Sequence, residues 1–172
     1  MENNNTETKP ETAAKPSDGG DCSSATCCAS LPELAEKIAR KAHAGQFRRD
    51  GITPYILHPA AVVSRLNGES PEVLATAWLH DVIEDTEETG QSLIDKGIPR
   101  SVAINVEMLS KKSGEDYARY MRKLRGWPDA RKVKIADMLA NLSDAPSEKQ
   151  IVKYAKGLLI LHNTHAQPPK VG

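Results

Sequence analysis

The stretch AWLHDVIEDT, residues 77 to 86, sets four ionisable side chains among apolar ones. Its pattern predicts a helix with apolar residues on every side, which is typical of a buried helix. Burying ionised carboxylates without partners is costly enough that proteins normally avoid it. Side chains three or four residues apart lie on adjoining faces of a helix. We therefore expect His80, Asp81 and Glu84 to point into one cavity, with Asp85 four residues after Asp81.

A second apolar segment, VKIADMLANL (residues 133 to 142), carries polar residues in a similar way. Asp137 and Asn141 lie four apart, where the apolar stripe of a helix would continue. A buried Asp137 needs a partner, and a cation held between it and the His80-Asp81 pair would provide one. His58, in YILHPA, is a further candidate ligand.

Two histidines and two aspartates form a mixed nitrogen and oxygen ligand set, unlike the Cys-rich sets of structural zinc sites. Such a set suits manganese, ferrous iron, cobalt or nickel, and it suits magnesium less well because of the two imidazoles. Spacing alone does not choose among these metals. The competing interpretation is a frayed helix end, with the acids of residues 80 to 85 exposed to solvent.

Helix signals begin at Leu31 and continue to the end of LLILH. Ser30 and Ser70 stand where N-caps are expected, and each is followed by proline or glutamate in the first turn. No alternating strand pattern competes, so the predicted fold is all-α, a single bundle of about seven or eight helices. The domain prediction is a disordered leader over residues 1–29, the helical domain over 30–162, and a flexible tail over 163–172.

The overall composition excludes several classes of function. The 23 lysines and arginines equal the 23 aspartates and glutamates, so no global positive field points to DNA or RNA. The polar N-terminus has no hydrophobic region of a signal peptide, and the apolar runs are too short to span a membrane. The three cysteines, Cys22, Cys27 and Cys28, crowd the leader and make a poor disulfide framework. We expect a soluble cytoplasmic protein.

The order His58, His80-Asp81, Asp137 resembles the H…HD…D pattern of the HD-domain metal phosphohydrolases. Four longer motifs, GQxR, PYxxHP, LHDxxEDT and KxADxxxNL, extend the resemblance from about Leu34 to Ser143. Together they are similar to the hydrolase domain of RelA/SpoT proteins and to stand-alone small alarmone hydrolases of the metazoan SpoT-homologue type. The doublet alone is a weak signal, whereas the four motifs together are specific.

The resemblance implies that the protein removes the 3′-pyrophosphate of (p)ppGpp with Mn²⁺ or another divalent transition metal. It implies four metal ligands, which are His58, His80, Asp81 and Asp137. It further implies that Glu84 and Asp85 act on the attacking water. Glu84 is suited to act as general base, and Asp85 to orient the water or Glu84.

The resemblance also implies nucleotide-binding residues. Arg48 and Arg49 match a basic pair that contacts base and phosphates, and Asn141 matches an asparagine near the nucleotide. Arginine can both fork onto phosphate and stack on a purine. Tyr55 either lines the base pocket or covers the core, with packing favoured, and Lys134 reaches either phosphate or solvent.

Two other functions stay open. An HD phosphohydrolase of another nucleotide, for example NADPH, would keep the metal site without needing Arg48 and Arg49. A non-catalytic module that senses a nucleotide or a partner would have no use for the Glu84-Asp85 pair. The expected ligand is a small nucleotide, guanosine tetra- or pentaphosphate or a relative, and not a nucleic-acid polymer or a membrane. An antitoxin role and a homo-oligomer are both compatible with the sequence.

Overall fold

The structure, a computed structural model, describes residues 29–162. In this range the chain is all-α, as predicted, and its only β feature is a bridge between Phe47 and Pro54. The described part of the chain has nine helices: α1 Leu31–Ala42, α2 Leu57–Ser64, α3 Pro71–Leu79, α4 Val82–Asp85, α5 Gly90–Asp95, α6 Arg100–Leu109, α7 Tyr117–Leu124, α8 Pro128–Leu142 and α9 Glu148–His162. The predicted disordered leader, with its cysteines, and the predicted tail lie outside the described residues, except for the exposed Ala29.

The helix starts follow the signals in the sequence. Ser30 precedes α1, and the Glu33 carboxylate accepts a hydrogen bond from the Ser30 backbone N–H at 2.8 Å. Ser70 caps α3 by accepting a hydrogen bond from the Val73 N–H. These contacts satisfy backbone donors that lack partners inside a helix.

The central helix is α3, which packs against α1, α2, α6 and α8. Its residues Val73 to Leu79 are almost all buried, as the run of apolar and small side chains requires. Two apolar clusters meet at this helix: one lies towards α1, α5 and α6, and the other towards α2, α7, α8 and α9. This arrangement places the C-terminal end of α3 deep inside the molecule.

The stretch AWLHDVIEDT is not one continuous helix, contrary to the prediction. Helix α3 ends at Leu79, His80 and Asp81 form a turn, and α4 covers only Val82–Asp85. Asp81 has φ −102° and ψ −7°, away from ideal helical values. This break is one reason why the helix count exceeds the expected seven or eight.

The last helix, α9, packs through only part of the face that its sequence predicts. The spacing predicts a stripe of Ile151, Tyr154, Ala155, Leu158 and Leu159. Tyr154 and Leu158 pack against the core, whereas Ile151, Ala155 and Leu159 are exposed. The buried positions are Gly157 and Leu161. A Cβ at Gly157 would lie 2.5 Å from the Tyr117 hydroxyl, so a close approach of the helices at this glycine decides which face turns inwards.

None of the helices in the described part of the chain has the length and apolar run needed to cross a membrane.

Candidate active site

Four predicted metal ligands converge behind the turn that ends α3. His58 lies on α2, His80 and Asp81 form the turn, and Asp137 lies on α8. His58 Nε2 lies 3.0 Å from Asp137 Oδ1, and His80 Nε2 lies 3.0 Å from Asp81 Oδ2. The crossed distances, His58 Nε2 to Asp81 Oδ2 and His80 Nε2 to Asp137 Oδ1, are 3.6 Å and 3.8 Å. The ligand atoms of His58, His80 and Asp137 all lie within 4.8 Å of one another, so this cluster could hold a metal ion.

Three members of the cluster are buried, unlike the frayed end considered above, whereas Glu84 and Asp85 are exposed. His58, His80 and Asp137 are 6%, 2% and 4% exposed. The turn at His80 and Asp81 directs both side chains towards His58 on α2 and Asp137 on α8. The cluster therefore depends on the break in the helix, and the i,i+4 spacing used in the sequence argument does not create it.

The His80 ring is held so that its Nε2 faces the other members of the cluster. Its Nδ1 lies 2.8 Å from the Ala77 carbonyl oxygen, which can only accept, so Nδ1 carries a hydrogen. Its Nε2 is buried and faces Asp81 Oδ2 at 3.0 Å and Asp137 Oδ1 at 3.8 Å, without hydrogen-bond geometry to either. A ring fixed by a backbone carbonyl, with its other nitrogen directed at further potential ligands, is the usual arrangement of a metal-ligating histidine.

Asp137 divides its two oxygens between different partners. Oδ1 faces the histidines and accepts a hydrogen bond from Asn141 Nδ2 at 2.6 Å. Oδ2 pairs with Lys134 Nζ at 2.8 Å. The Lys134 side chain is 16% exposed and its ammonium group neutralises Asp137, while its expected contact with phosphate remains a prediction. The lysine therefore belongs to the support of the cluster.

Tyr55 joins the cluster to the acidic pair. Its hydroxyl lies within hydrogen-bond distance of Asp81 Oδ2, at 2.7 Å, and of Asp85 Oδ2, at 2.8 Å. The interpretation of Tyr55 as mainly a packing residue was therefore incomplete. His43 packs against the Tyr55 ring, with ring centroids 4.7 Å apart, and its Nδ1 lies 2.8 Å from Gln46 Oε1.

Gln46 was not predicted as a site residue. Its side-chain amide donates to the Asp85 backbone carbonyl at 3.2 Å and fixes the loop after α1 against α4. The signal was present in the motif GQxR, but a glutamine in a loop carries no spacing that would reveal its partner.

The two acids of α4 have different surroundings. Asp85 is exposed and belongs to the Tyr55 network, whereas the Glu84 carboxylate accepts a hydrogen bond from the Lys111 N–H at 3.1 Å. Glu84 thus faces the α6–α7 loop in this conformation. The expectation that it shares one cavity with His80 and Asp81 remains a prediction.

The negative charges of Asp81 and Asp137 are compensated by neighbouring positively charged side chains. Burial opposes the charging of His80, but Asp81 and Asp137 outweigh it and raise the pKa of His80 to about 9. Burial likewise opposes ionisation of Asp81 and Asp137, yet His80 and Lys134 respectively hold the pKa of each carboxyl below its usual range. Burial, followed by the charge of Asp81, raises the pKa of Tyr55 well above its usual value, so its hydroxyl remains a donor.

A cleft of about 510 Å³ adjoins the cluster. Tyr55 and Asn141 line it and also contact the acids, so they connect the two. Arg48 NH2 pairs with Asp144 Oδ2 at 2.8 Å and donates to Asn141 Oδ1 at 3.3 Å, while Arg49 NH1 donates to Gln150 Oε1 at 3.3 Å. The remaining lining residues include aromatic and polar side chains: Phe47, Asp50, Asp144, Ala145, Gln150 and Tyr154.

Comparison with known proteins identifies relatives of this chain. It is 34% identical over 129 residues to guanosine-3′,5′-bis(diphosphate) 3′-pyrophosphohydrolase MESH1 of Danio rerio, a match that covers 68% of this chain and 71% of that protein. It is 49% identical over 77 residues to guanosine-3′,5′-bis(diphosphate) 3′-pyrophosphohydrolase of Haemophilus influenzae, covering 43% of this chain. That match spans only 11% of the length of the bacterial protein. No protein-family model matches the chain.

A solved structure has the same fold. It is described as a metazoan ortholog of SpoT that hydrolyses ppGpp, and it aligns with a TM-score of 0.68 at 24% identity. The alignment covers 83% of this chain and 91% of the other. The similarity supports the all-α architecture over nearly the whole described range.

Proposed function

Because the chain belongs to the guanosine-3′,5′-bis(diphosphate) 3′-pyrophosphohydrolase family, we propose that it removes the 3′-pyrophosphate of (p)ppGpp in a metal-dependent reaction. The proposed catalytic domain covers residues 30–162. The expected substrate is a small nucleotide in the cytoplasm, and neither a nucleic-acid polymer nor a membrane is an expected partner.

The observation that carries this proposal is the buried histidine and aspartate cluster beside a cleft with aromatic walls and two arginines. The ring nitrogens of His58 and His80 face the carboxylates of Asp81 and Asp137 at 3.0 to 3.8 Å. Burying two carboxylates this close together is costly unless positive charge compensates them, and a divalent cation would do so. The ligand atoms of His58, His80 and Asp137 lie close enough together to hold one.

The side chains present fit a divalent transition metal. His58 and His80 would supply imidazole nitrogens, and Asp81 and Asp137 would supply carboxylate oxygens, a set that suits Mn²⁺. Because Lys134 occupies Asp137 Oδ2, Oδ1 is the oxygen left for the metal. A bound divalent ion supplies Lewis-acid polarisation of a phosphoryl oxygen and makes a water molecule more acidic.

The residues of the turn and α4 provide the proton chemistry. Hydrolysis of the 3′ ester gives the hydroxyl of water to phosphorus and a proton to the leaving 3′ oxygen. We assign Glu84 as the general base for this water and Asp85 as the residue that positions it. The Tyr55 hydroxyl lies within hydrogen-bond distance of both Asp81 and Asp85, and its single hydrogen can orient one of these carboxylates at a time.

The cleft supplies the nucleotide contacts. Its aromatic walls suit a purine, and Arg48 and Arg49 suit phosphate or the face of the base. Asn141, in contact with both Arg48 and Asp137, stands between the cleft and the cluster. It is therefore suited to contact the nucleotide close to the bond that is cleaved.

The test is a panel of nucleotides incubated with the Mn²⁺-loaded protein, with products separated by chromatography. The panel contains ppGpp, pppGpp, NADPH and ordinary nucleoside phosphates. We expect pyrophosphate from ppGpp and pppGpp only. Release of phosphate from NADPH instead would show that NADPH, and not ppGpp, is the substrate. If the metal-loaded protein hydrolyses no member of the panel, the result would favour a non-catalytic binding module.

Two variants separate metal binding from catalysis. Glu84→Gln should retain Mn²⁺ and lose turnover, by roughly a hundredfold or more for a general base. Glu107→Gln, which removes an exposed acid on α6, is the matched control and should behave as the unmodified protein. Full activity of Glu84→Gln would contradict the assignment of the base.

A further inference from the structure

A second cleft, of about 280 Å³, opens beside the metal cluster. His58, one of the proposed ligands, lines it, together with Arg48 and Arg65. Thr53, Leu57, Ala61, Ala140, Ser143 and Asp144 complete its lining. The two clefts share only Arg48 and Asp144, so this ion pair lies at the boundary between them.

The two clefts differ in chemistry. The larger one has three aromatic side chains, Phe47, Tyr55 and Tyr154, whereas the lining of the smaller one contains none apart from the His58 imidazole. The smaller cleft offers the guanidinium groups of Arg48 and Arg65, whereas the hydroxyls of Thr53 and Ser143 already donate to Asp50 and to the Leu139 carbonyl. Guanidinium donors suit phosphate oxygens better than they suit a base in a cleft without aromatic walls.

Arg65 is the cation of this cleft that has no acidic partner. It follows the last residue of α2, and its guanidinium donates to the Ala61 carbonyl at 2.9 Å and to Ser143 Oγ at 3.0 Å. Within residues 29–162 no carboxylate pairs with it. By contrast, Arg48 is neutralised by Asp144, the one acid in the lining, and Lys134 by Asp137.

These two hydrogen bonds hold Arg65 without using its charge. They engage two of the five N–H groups that a guanidinium carries, so donors remain for a ligand. A cation fixed before the ligand arrives loses less side-chain entropy on binding. The site is therefore built for an anion of small volume next to His58.

We propose that the second cleft binds a diphosphoryl group of the nucleotide and that Arg65 recognises it. The inference rests on the proposed function, because that substrate carries diphosphoryl groups on both the 5′ and the 3′ oxygens. Either group has the chemistry that the cleft recognises. The 5′ group would make Arg65 a specificity residue, and the 3′ group would make it a residue that holds the diphosphoryl group transferred to water and released as pyrophosphate.

The first experiment measures binding of inorganic pyrophosphate to the metal-free protein by calorimetry, which needs no turnover. Arg65→Gln removes the charge and keeps a hydrogen-bonding amide group. We expect it to weaken binding by roughly tenfold or more, as loss of a charge-assisted hydrogen bond does. The control Arg100→Gln, at an exposed position on α6, makes the same change in net charge and should alter binding by less than about twofold.

The second experiment compares KM for ppGpp with KM for the analogue that has a 5′-hydroxyl group. If the 5′ group occupies the cleft, Arg65→Gln raises KM for ppGpp and leaves KM for the analogue unchanged. If the 3′ group does, KM rises for both and inhibition by product pyrophosphate weakens. Equal behaviour of Arg65→Gln and Arg100→Gln in all these measurements would overturn the inference. Arg65-dependent pyrophosphate binding without any ppGpp turnover would overturn the proposed function and leave the anion site standing.

Discussion

Metal binding should displace one proton from His80, and this can be measured directly. In the metal-free protein Asp81 and Asp137 raise the pKa of His80 to about 9, so Nε2 is protonated at neutral pH. A metal ion needs the lone pair of that nitrogen, and the proton must therefore leave. At about pH 7.5, a group of pKa 9 releases about one proton, whereas a histidine of ordinary pKa near 6.5 releases about one-tenth of a proton.

The sign of the pH dependence follows from the same displacement. Below pH 9 each unit of pH increase should strengthen apparent metal affinity about tenfold, and above it the dependence should flatten. Calorimetric titration of the metal-free protein with Mn²⁺, in two buffers of different ionisation enthalpy, gives the number of protons released. The control His162→Gln, at an exposed site at the end of α9, should release the same number. Release of only about one-tenth of a proton at pH 7.5, with affinity already flat above pH 6.5, would refute the reasoning.

Three further changes test the support of the site and the packing. Tyr55→Phe removes the donor shared by two carboxylates, so turnover should fall by roughly tenfold or more while Mn²⁺ binding, measured by calorimetry, changes less; unchanged kinetics would contradict the positioning role. Lys134→Met leaves the buried Asp137 without its ammonium partner. It should lower the free energy of unfolding of the metal-free protein by about 3 kcal/mol, measured by urea denaturation. An unchanged free energy of unfolding would mean that the ion pair makes no net contribution to stability. Gly157→Ala forces a methyl group against Tyr117 and should cost about 1–3 kcal/mol, seen as a lower melting temperature, whereas an unchanged Tm would show that the helices separate freely.

The sequence best predicted the features that depend on neighbouring residues, such as helix starts and apolar periodicity. The starts of α1 and α3 follow from Ser30 and Ser70, because capping uses residues within one turn. The class of fold followed from the spacing of apolar residues. The side of α9 that packs inwards followed only in part, because the close contact at Gly157 involves Tyr117, which is forty residues away in sequence.

The candidate site was predicted for a partly incorrect reason. The residue spacing predicted that His80, Asp81 and Glu84 lie on one unbroken helix. In the structure the chain forms a turn at His80 and Asp81. Their convergence with His58 and Asp137 depends on how three helices pack, which spacing along one helix does not encode. The motif resemblance identified the same residues because it carries the tertiary arrangement implicitly.

The roles of Tyr55 and Lys134 were harder to predict than those of the histidines. A tyrosine in a loop and a lysine on a helix are common on protein surfaces, so their residue types favour packing or solvent. Only the fold shows that the Tyr55 hydroxyl lies between two carboxylates and that Lys134 pairs with Asp137. Both residues satisfy buried charges that the sequence argument left without partners.

The most direct test of the account is to strip the protein of metal and restore Mn²⁺ in the presence of ppGpp, following pyrophosphate by chromatography. The stripped protein should be inactive, restored protein should release pyrophosphate, and His80→Ala should stay inactive after the same treatment. Pyrophosphate release by stripped protein, or by His80→Ala as fast as by the unmodified chain, would contradict a metal-dependent reaction at this cluster.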